Sequence, residues 1–235
     1  MAKKKKKSKN MMERYHGPLI ENEVVLGYIK FVPWFTLVIS GMIFWGMTIG
    51  NWTGVYRTLF EVCIYYSAFA IVISFFDKFI LKFKIFVYLL ISLIFVVLTI
   101  DISCINLLLI SQGELSSEMM VVCVYIAIGL FLIFSFVYAW YYLPKNQGKI
   151  WAINQWETYE KLYRNKKLMK FLKPLPVVAF VLIVIAVLSG HENYIECVFG
   201  VLNGILDLFA FPALVVDAIY GAIYISGNPS YDELE

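Results

Sequence analysis

A chain of 235 residues that is 61% hydrophobic and only 16% charged, with a mean hydropathy of +0.75, lacks the polar surface that a water-soluble domain of this length exposes. Its apolar runs are continuous rather than alternating, which excludes a transmembrane barrel and leaves an all-α, polytopic helical membrane protein. The net charge of +3 is unevenly spread: Arg57 is the one Lys or Arg outside three clusters, which lie before Phe31, between Asp77 and Lys84, and between Lys145 and Lys173.

Residues 1–30 form a basic segment assigned to the cytoplasm, with Lys3–Lys7 and Lys9 at its head. The lysines lie too far from the first apolar run, and that run is too long, for a cleavable signal. Met11–Lys30 mixes apolar residues with charge and reads either as a stretch along the membrane surface or as a disordered tail. A four-span unit follows over residues 31–143. Span one is expected over Phe31–Ile49, with Pro33 in its first turn, where a missing N–H costs little. Gly50-Asn51-Trp52-Thr53-Gly54 is a turn, with Trp52 at interface depth. Span two covers Val55–Phe76, and Lys82 and Lys84 stand between aromatic residues at the cytoplasmic interface. Span three, Ile85–Ile110, is long enough to tilt; span four, Met119–Leu143, ends in the aromatic belt Tyr138–Tyr142.

Residues 144–173 carry eight Lys and Arg against two acids and therefore stay on the cytoplasmic side, fixing the direction of the neighbouring spans. Trp151, Trp156, Tyr159, Leu162 and Tyr163 recur at roughly helical spacing between the charges. This describes an amphipathic helix on the inner leaflet, with a plain cytoplasmic helix packed on the bundle as the alternative. Lys161, Arg164, Lys166, Lys167 and Lys170 are its lipid- or partner-facing basic residues. A two-span unit over residues 174–225 comes next, its first span (Phe171–Leu188) drawing on the preceding residues and followed by an outer turn with His191. The final run, Tyr194–Ile225, would make a straight helix of about 48 Å, too long for one ordinary crossing. It is read as one span kinked at Pro212, in competition with a re-entrant hairpin of two half-helices. With the acidic tail 226–235, whose side charge does not decide, this gives about six transmembrane helices and an N-terminus in the cytoplasm of a plasma or inner membrane.

Ionisable residues inside the spans are the candidate functional groups, because each costs several kcal/mol in hydrocarbon. Arg57 and Glu61 lie one helical turn apart, and Asp101 is at a depth that lets it join them. The trio is either an interhelical staple or a proton-carrying cluster. Asp207 and Asp217 flank Pro212 and form an ion or proton site if the helix breaks there; otherwise Asp217 faces water or headgroups. Gly200, Asn203 and Gly204 make a small-residue packing face with a hydrogen-bonding amide, directed within the subunit or between subunits. The four cysteines, without CxxC spacing, read as packing residues.

Serine-hydrolase, metalloprotease, phosphate-loop and dinucleotide motifs are all missing, so neither an enzyme nor a cofactor or metal is expected. Two functions remain. The first is a non-enzymatic membrane component (sensor, effector, immunity or assembly subunit) acting through helix packing and its basic face. Its partners would be anionic inner-leaflet lipids, a soluble cytoplasmic protein or a second copy, and not nucleic acid. The alternative is a transporter subunit or small ion- or proton-conducting protein that uses Asp101, Asp207 and Asp217.

Overall fold

The structure, a computed structural model, describes residues 24–51, 53–111, 117–141 and 192–227. The expectations for residues 144–173, for the span at Phe171–Leu188, for His191 and for most of the two termini lie outside these residues. Within them the protein is helical, without strands. A 3-10 turn at Leu26–Lys30 precedes α1 (Val32–Ile49), α2 (Val55–Ser74), a short α3 (Asp77–Lys82), α4 (Lys84–Ser111), α5 (Ser117–Tyr141) and α6 (Glu192–Gly227). All but α3 are long and apolar enough to cross a membrane, giving five such helices among the described residues. Hydrocarbon offers no partner for backbone N–H and C=O groups, so each apolar run closes its hydrogen bonds on itself.

Local chemistry sets the ends of these helices. Pro33 occupies the first turn of α1, where no intrahelical donor is lost. The chain turns from α1 into α2 through Asn51 (φ 53°) and Gly54 (φ 94°), left-handed conformations that asparagine and glycine tolerate. Asp77 in the first turn of α3 and Lys82 in its last both complement the helix dipole. Lys30 Nζ stands 2.8 Å from Asp77 Oδ1, and both side chains are at least half exposed. An exposed pair of this kind contributes at most about 1 kcal/mol. Its use here is to mark one end of the bundle: Lys30, Lys78, Lys82 and Lys84 gather there, and Arg57, in the first turn of α2, stands at the other.

α4 is the axis of the bundle, with 56% of its span buried against 6% for α5. α6 runs antiparallel along it: Gly200 meets Asn106 near one end, and Ser92 Oγ donates to Val215 O (3.4 Å) near the other. At the Lys30 end the core joins Tyr88, Ile91 and Ile94 of α4 to Ala218, Ala222 and Ile225 of α6, with Ile80 of α3 beneath. α5 lies beside α6 through Phe134 and Tyr138, whose rings are 5.3 and 6.1 Å from that of Phe209.

Two segments differ from alternatives that the sequence left open. Val24 and Leu26 are fully buried and Ile29 is 1% exposed, so the described end of the N-terminal segment is neither a surface stretch nor a free tail. Apolar contact holds it, including the edge of Tyr28 against Phe95 at 5.9 Å. The run around Pro212 is one uninterrupted helix of 36 residues, not a re-entrant hairpin. Proline removes the donor that Leu208 O would use in an ideal helix, a loss of one bond. Packing along α4 outweighs that loss, and Tyr138 donates its hydroxyl to the adjacent Phe209 O at 3.0 Å.

Candidate functional site

Polar side chains placed in the apolar runs find one another across helices. On α1, Thr36 and Ser40 are one turn apart and both are fully buried. Thr36 Oγ1 donates to Pro33 O (3.0 Å) and lies 2.8 Å from Ser67 Oγ on α2. With its single hydrogen committed to Pro33, Thr36 is the acceptor and Ser67 the donor. Ser40 Oγ sits 2.8 Å from both carboxyl oxygens of Asp101 on α4, which is itself fully buried. The sequence grouped Arg57, Glu61 and Asp101. The structure brings the first two together, with Arg57 Nε 3.7 Å from Glu61 Oε1, and gives Asp101 a different partner. Arg57 instead places its guanidinium 5.2 Å from the ring centre of Phe44.

A second polar group joins α4 to α6. Asn106 Nδ2 donates to Asp207 Oδ2 at 2.6 Å, and Asn203 Nδ2 donates to Asn106 Oδ1 at 2.8 Å and to Asp207 Oδ2 at 3.1 Å. Such bonds require close helix approach, and Gly200 and Gly204 provide it. A Cβ at Gly200 would lie 2.9 Å from the Asn106 carbonyl oxygen, and one at Gly204 would lie 3.8 Å from Asn106 Cβ. The small-residue face is therefore used inside the subunit, against α4.

Asp217 is the third acid within the spans. It is fully buried and accepts the backbone N–H of Val24 at 2.7 Å. It thus neither faces water nor meets Asp207: ten residues, or about 15 Å of helix, separate the two. The contact ties the segment before α1 to the end of α6 and satisfies an N–H that no helix provides for.

Between the α1–α2 pair and α5 lies a part-open cleft of about 870 Å³, floored by α4. Ile39, Ile43 and Met47 of α1, Val96 and Ile100 of α4, and Ile128 and Phe131 of α5 are typical of its walls, which are almost entirely carbon. Among the described residues no three His, Cys, Asp or Glu side chains converge as metal ligands, and the four cysteines are free thiols.

Sequence reasoning located the acids and singled out Asn203, which donates to Asp207, but missed Ser40 and Asn106 as partners of acids and Ser67 as the partner of Thr36. Ser40, Asn106 and Ser67 are single polar residues in apolar runs, and that alone was the available signal. Val24 left no signal, since it contributes its backbone. Comparison with protein families, with curated proteins and with solved structures found no match.

Proposed function

We propose that the protein is a non-enzymatic multi-span membrane component, a sensor, effector, immunity or assembly subunit, whose intramembrane acids hold its helices together. One observation carries this reading: Asp101, Asp207 and Asp217 each accept a hydrogen bond from a different element of the fold. An ion or proton carried by these acids would have to break those contacts in turn, and the cleft beside them offers carbon rather than a polar lane. A transporter subunit or small ion or proton conductor remains the alternative. It would require the three acids to share water, whereas each is bound to a different partner.

The working face in this reading is the basic tract 144–173, set on the cytoplasmic side with both ends of the chain. Parallel packing of α5 and α6 supports the sixth span: α5 leads to the Lys30 end and α6 starts at the opposite end. An odd number of crossings between them fits that arrangement, and Phe171–Leu188 is the apolar run available for one. The lysine-rich end then faces the cytoplasm of a plasma or inner membrane.

Co-purification tests the assignment. The full chain should bring down a soluble cytoplasmic protein or a second copy of itself. Changing Lys161, Arg164, Lys166, Lys167 and Lys170 to glutamine should weaken that association several-fold while the protein still reaches the membrane. Association unchanged by the five substitutions would remove the basic face from the proposal.

A further inference from the structure

Asp101 stands ten residues before the end of α4 at Ser111, or about 15 Å, half of the ~30 Å hydrocarbon thickness of a bilayer. Asp101 and Ser40 of α1 are both 0% exposed. Among the described residues each is the other's one hydrogen-bonding partner.

An ionised carboxylate at that depth requires a cation or several donors. No cation faces this one among the described residues. Over their described lengths α1, α5 and α6 carry no Lys, Arg or His, and α5 and α6 bring only acids. Lys84 begins α4 seventeen residues, or about 26 Å, from Asp101, and Lys30, Lys78 and Lys82 gather at that same end. Arg57 of α2 is engaged with Glu61 and the Phe44 ring. The titratable side chains near enough to act on Asp101 are two thiols, Cys63 of α2 and Cys104 of α4. A thiol supplies no positive charge in either of its states.

Counting hydrogens decides between the two forms of the acid. Ser40 Oγ lies 2.8 Å from Oδ1 and 2.8 Å from Oδ2. Its hydroxyl owns a single hydrogen. Shared between both oxygens of an ion, that hydrogen makes two bent and weak bonds; given to one, it leaves the other oxygen with no donor. A protonated carboxyl removes the shortfall. One of its oxygens donates to Ser40 Oγ while the other accepts from it, closing a ring in which each group gives and takes one bond. Two equal separations in the ordinary O–H···O range are what that ring requires.

We propose that Asp101 and Ser40 form a proton-binding site in the middle of the bundle, with the neutral aspartic acid and the serine paired reciprocally between α4 and α1. The proposal rests on the fastening reading of the acids and deepens it: Asp101 fastens as a donor as well as an acceptor. Without its proton it is an ion with one donor and no counter-charge, so the contact between α1 and α4 is tied to that proton.

Infrared difference spectroscopy tests this. Full-length wild type, Asp101→Asn and Ser40→Ala are reconstituted in phospholipid vesicles at neutral pH. Wild type minus Asp101→Asn should contain the carbonyl band of a protonated carboxyl, shifted in heavy water, and no carboxylate band. Ser40→Ala should keep the band and move it to higher frequency, because the carbonyl has lost its donor. Unfolding in denaturing detergent supplies a second readout. Ser40→Ala should unfold at a lower detergent fraction than wild type. Asp101→Asn, whose amide donates from one atom and accepts at the other, should unfold close to wild type.

A carboxylate band in place of the protonated one would overturn the proton, and the fastening reading would survive it if Ser40→Ala is still destabilised. A protonated band that Ser40→Ala does not shift would overturn the pairing. Unchanged stability of Ser40→Ala would overturn fastening at this site. Should Asp101→Asn fail to fold, the difference between wild type and Ser40→Ala decides alone: a shifted protonated-carboxyl band supports the proposal, and its absence overturns it.

Discussion

Gly200→Leu is expected to destabilise the protein by about 1–3 kcal/mol, the usual cost of forcing extra carbon into a packed interface. The added Cβ alone would stand 2.9 Å from the Asn106 carbonyl oxygen, 2.9 Å from Ile110 Cγ1 and 3.0 Å from Leu109 Cβ. The nearest of these is helix backbone, which cannot rotate away, so α6 must separate from α4. That separation stretches the Asn106–Asn203–Asp207 bonds as well, so the loss exceeds what volume alone would give. Gly204→Ala is the internal control. Its Cβ would meet Asn106 at 3.8 Å, an ordinary contact, and little change is expected. Unfolding of the detergent-solubilised variants, followed by helix signal against denaturing detergent, measures both. Equal stability of Gly200→Leu and wild type would show that α4 and α6 do not approach as described.

The second large effect concerns the amides around Asp207. Asn106→Leu removes the donor 2.6 Å from its carboxyl and leaves Asn203, at 3.1 Å, as the remaining contact. Stripping a buried polar group of its partner costs about 1–3 kcal/mol. Hydrogen bonds between membrane helices average less, about 0.6 kcal/mol with a maximum near 1.7, because the separated helices also find partners. The loss should therefore lie near the lower end for a simple pair and rise towards the upper end if Asp207 is left facing carbon. Asp207→Leu in the Asn106→Leu background should restore part of the loss, since no acid is then stranded. A double-mutant cycle by the same unfolding assay should give a coupling of about 1 kcal/mol between the two positions. Strict additivity would mean that the bond contributes nothing to holding the helices.

Much of this fold is written in the sequence, for a physical reason. Hydrocarbon forces each long apolar run to be a helix, so α1, α2, α4, α5 and the full length of α6 follow from run length and from Gly50–Gly54 and Lys82–Lys84 between them. What is less legible is which faces meet. Asp101 and Glu61 sit at similar depth, and depth suggested that they pair. Depth says nothing about azimuth, and Ser40 on α1 occupies the position opposite Asp101. Asp217 shows the same limit in another form: its partner is a backbone N–H 193 residues earlier, and no side-chain pattern could announce it. At Pro212 the sequence favoured one span over a re-entrant hairpin, and the helix is continuous there. Local chemistry allowed a break there, while the extended contact of α6 with α4 favours continuity at a cost of about one hydrogen bond.

The acids recur throughout: placed where they are expensive, they are the strongest candidates for function, and the geometry pairs each with a neighbour across the bundle. Whether they fasten or conduct is measurable directly. Purified full-length protein reconstituted into vesicles carrying an internal pH indicator and a potassium gradient should leak protons and cations no faster than protein-free vesicles under an imposed potential. A flux that appears with the wild-type protein and disappears in Asp101→Asn or Asp207→Asn would contradict the fastening role and establish a conducting one.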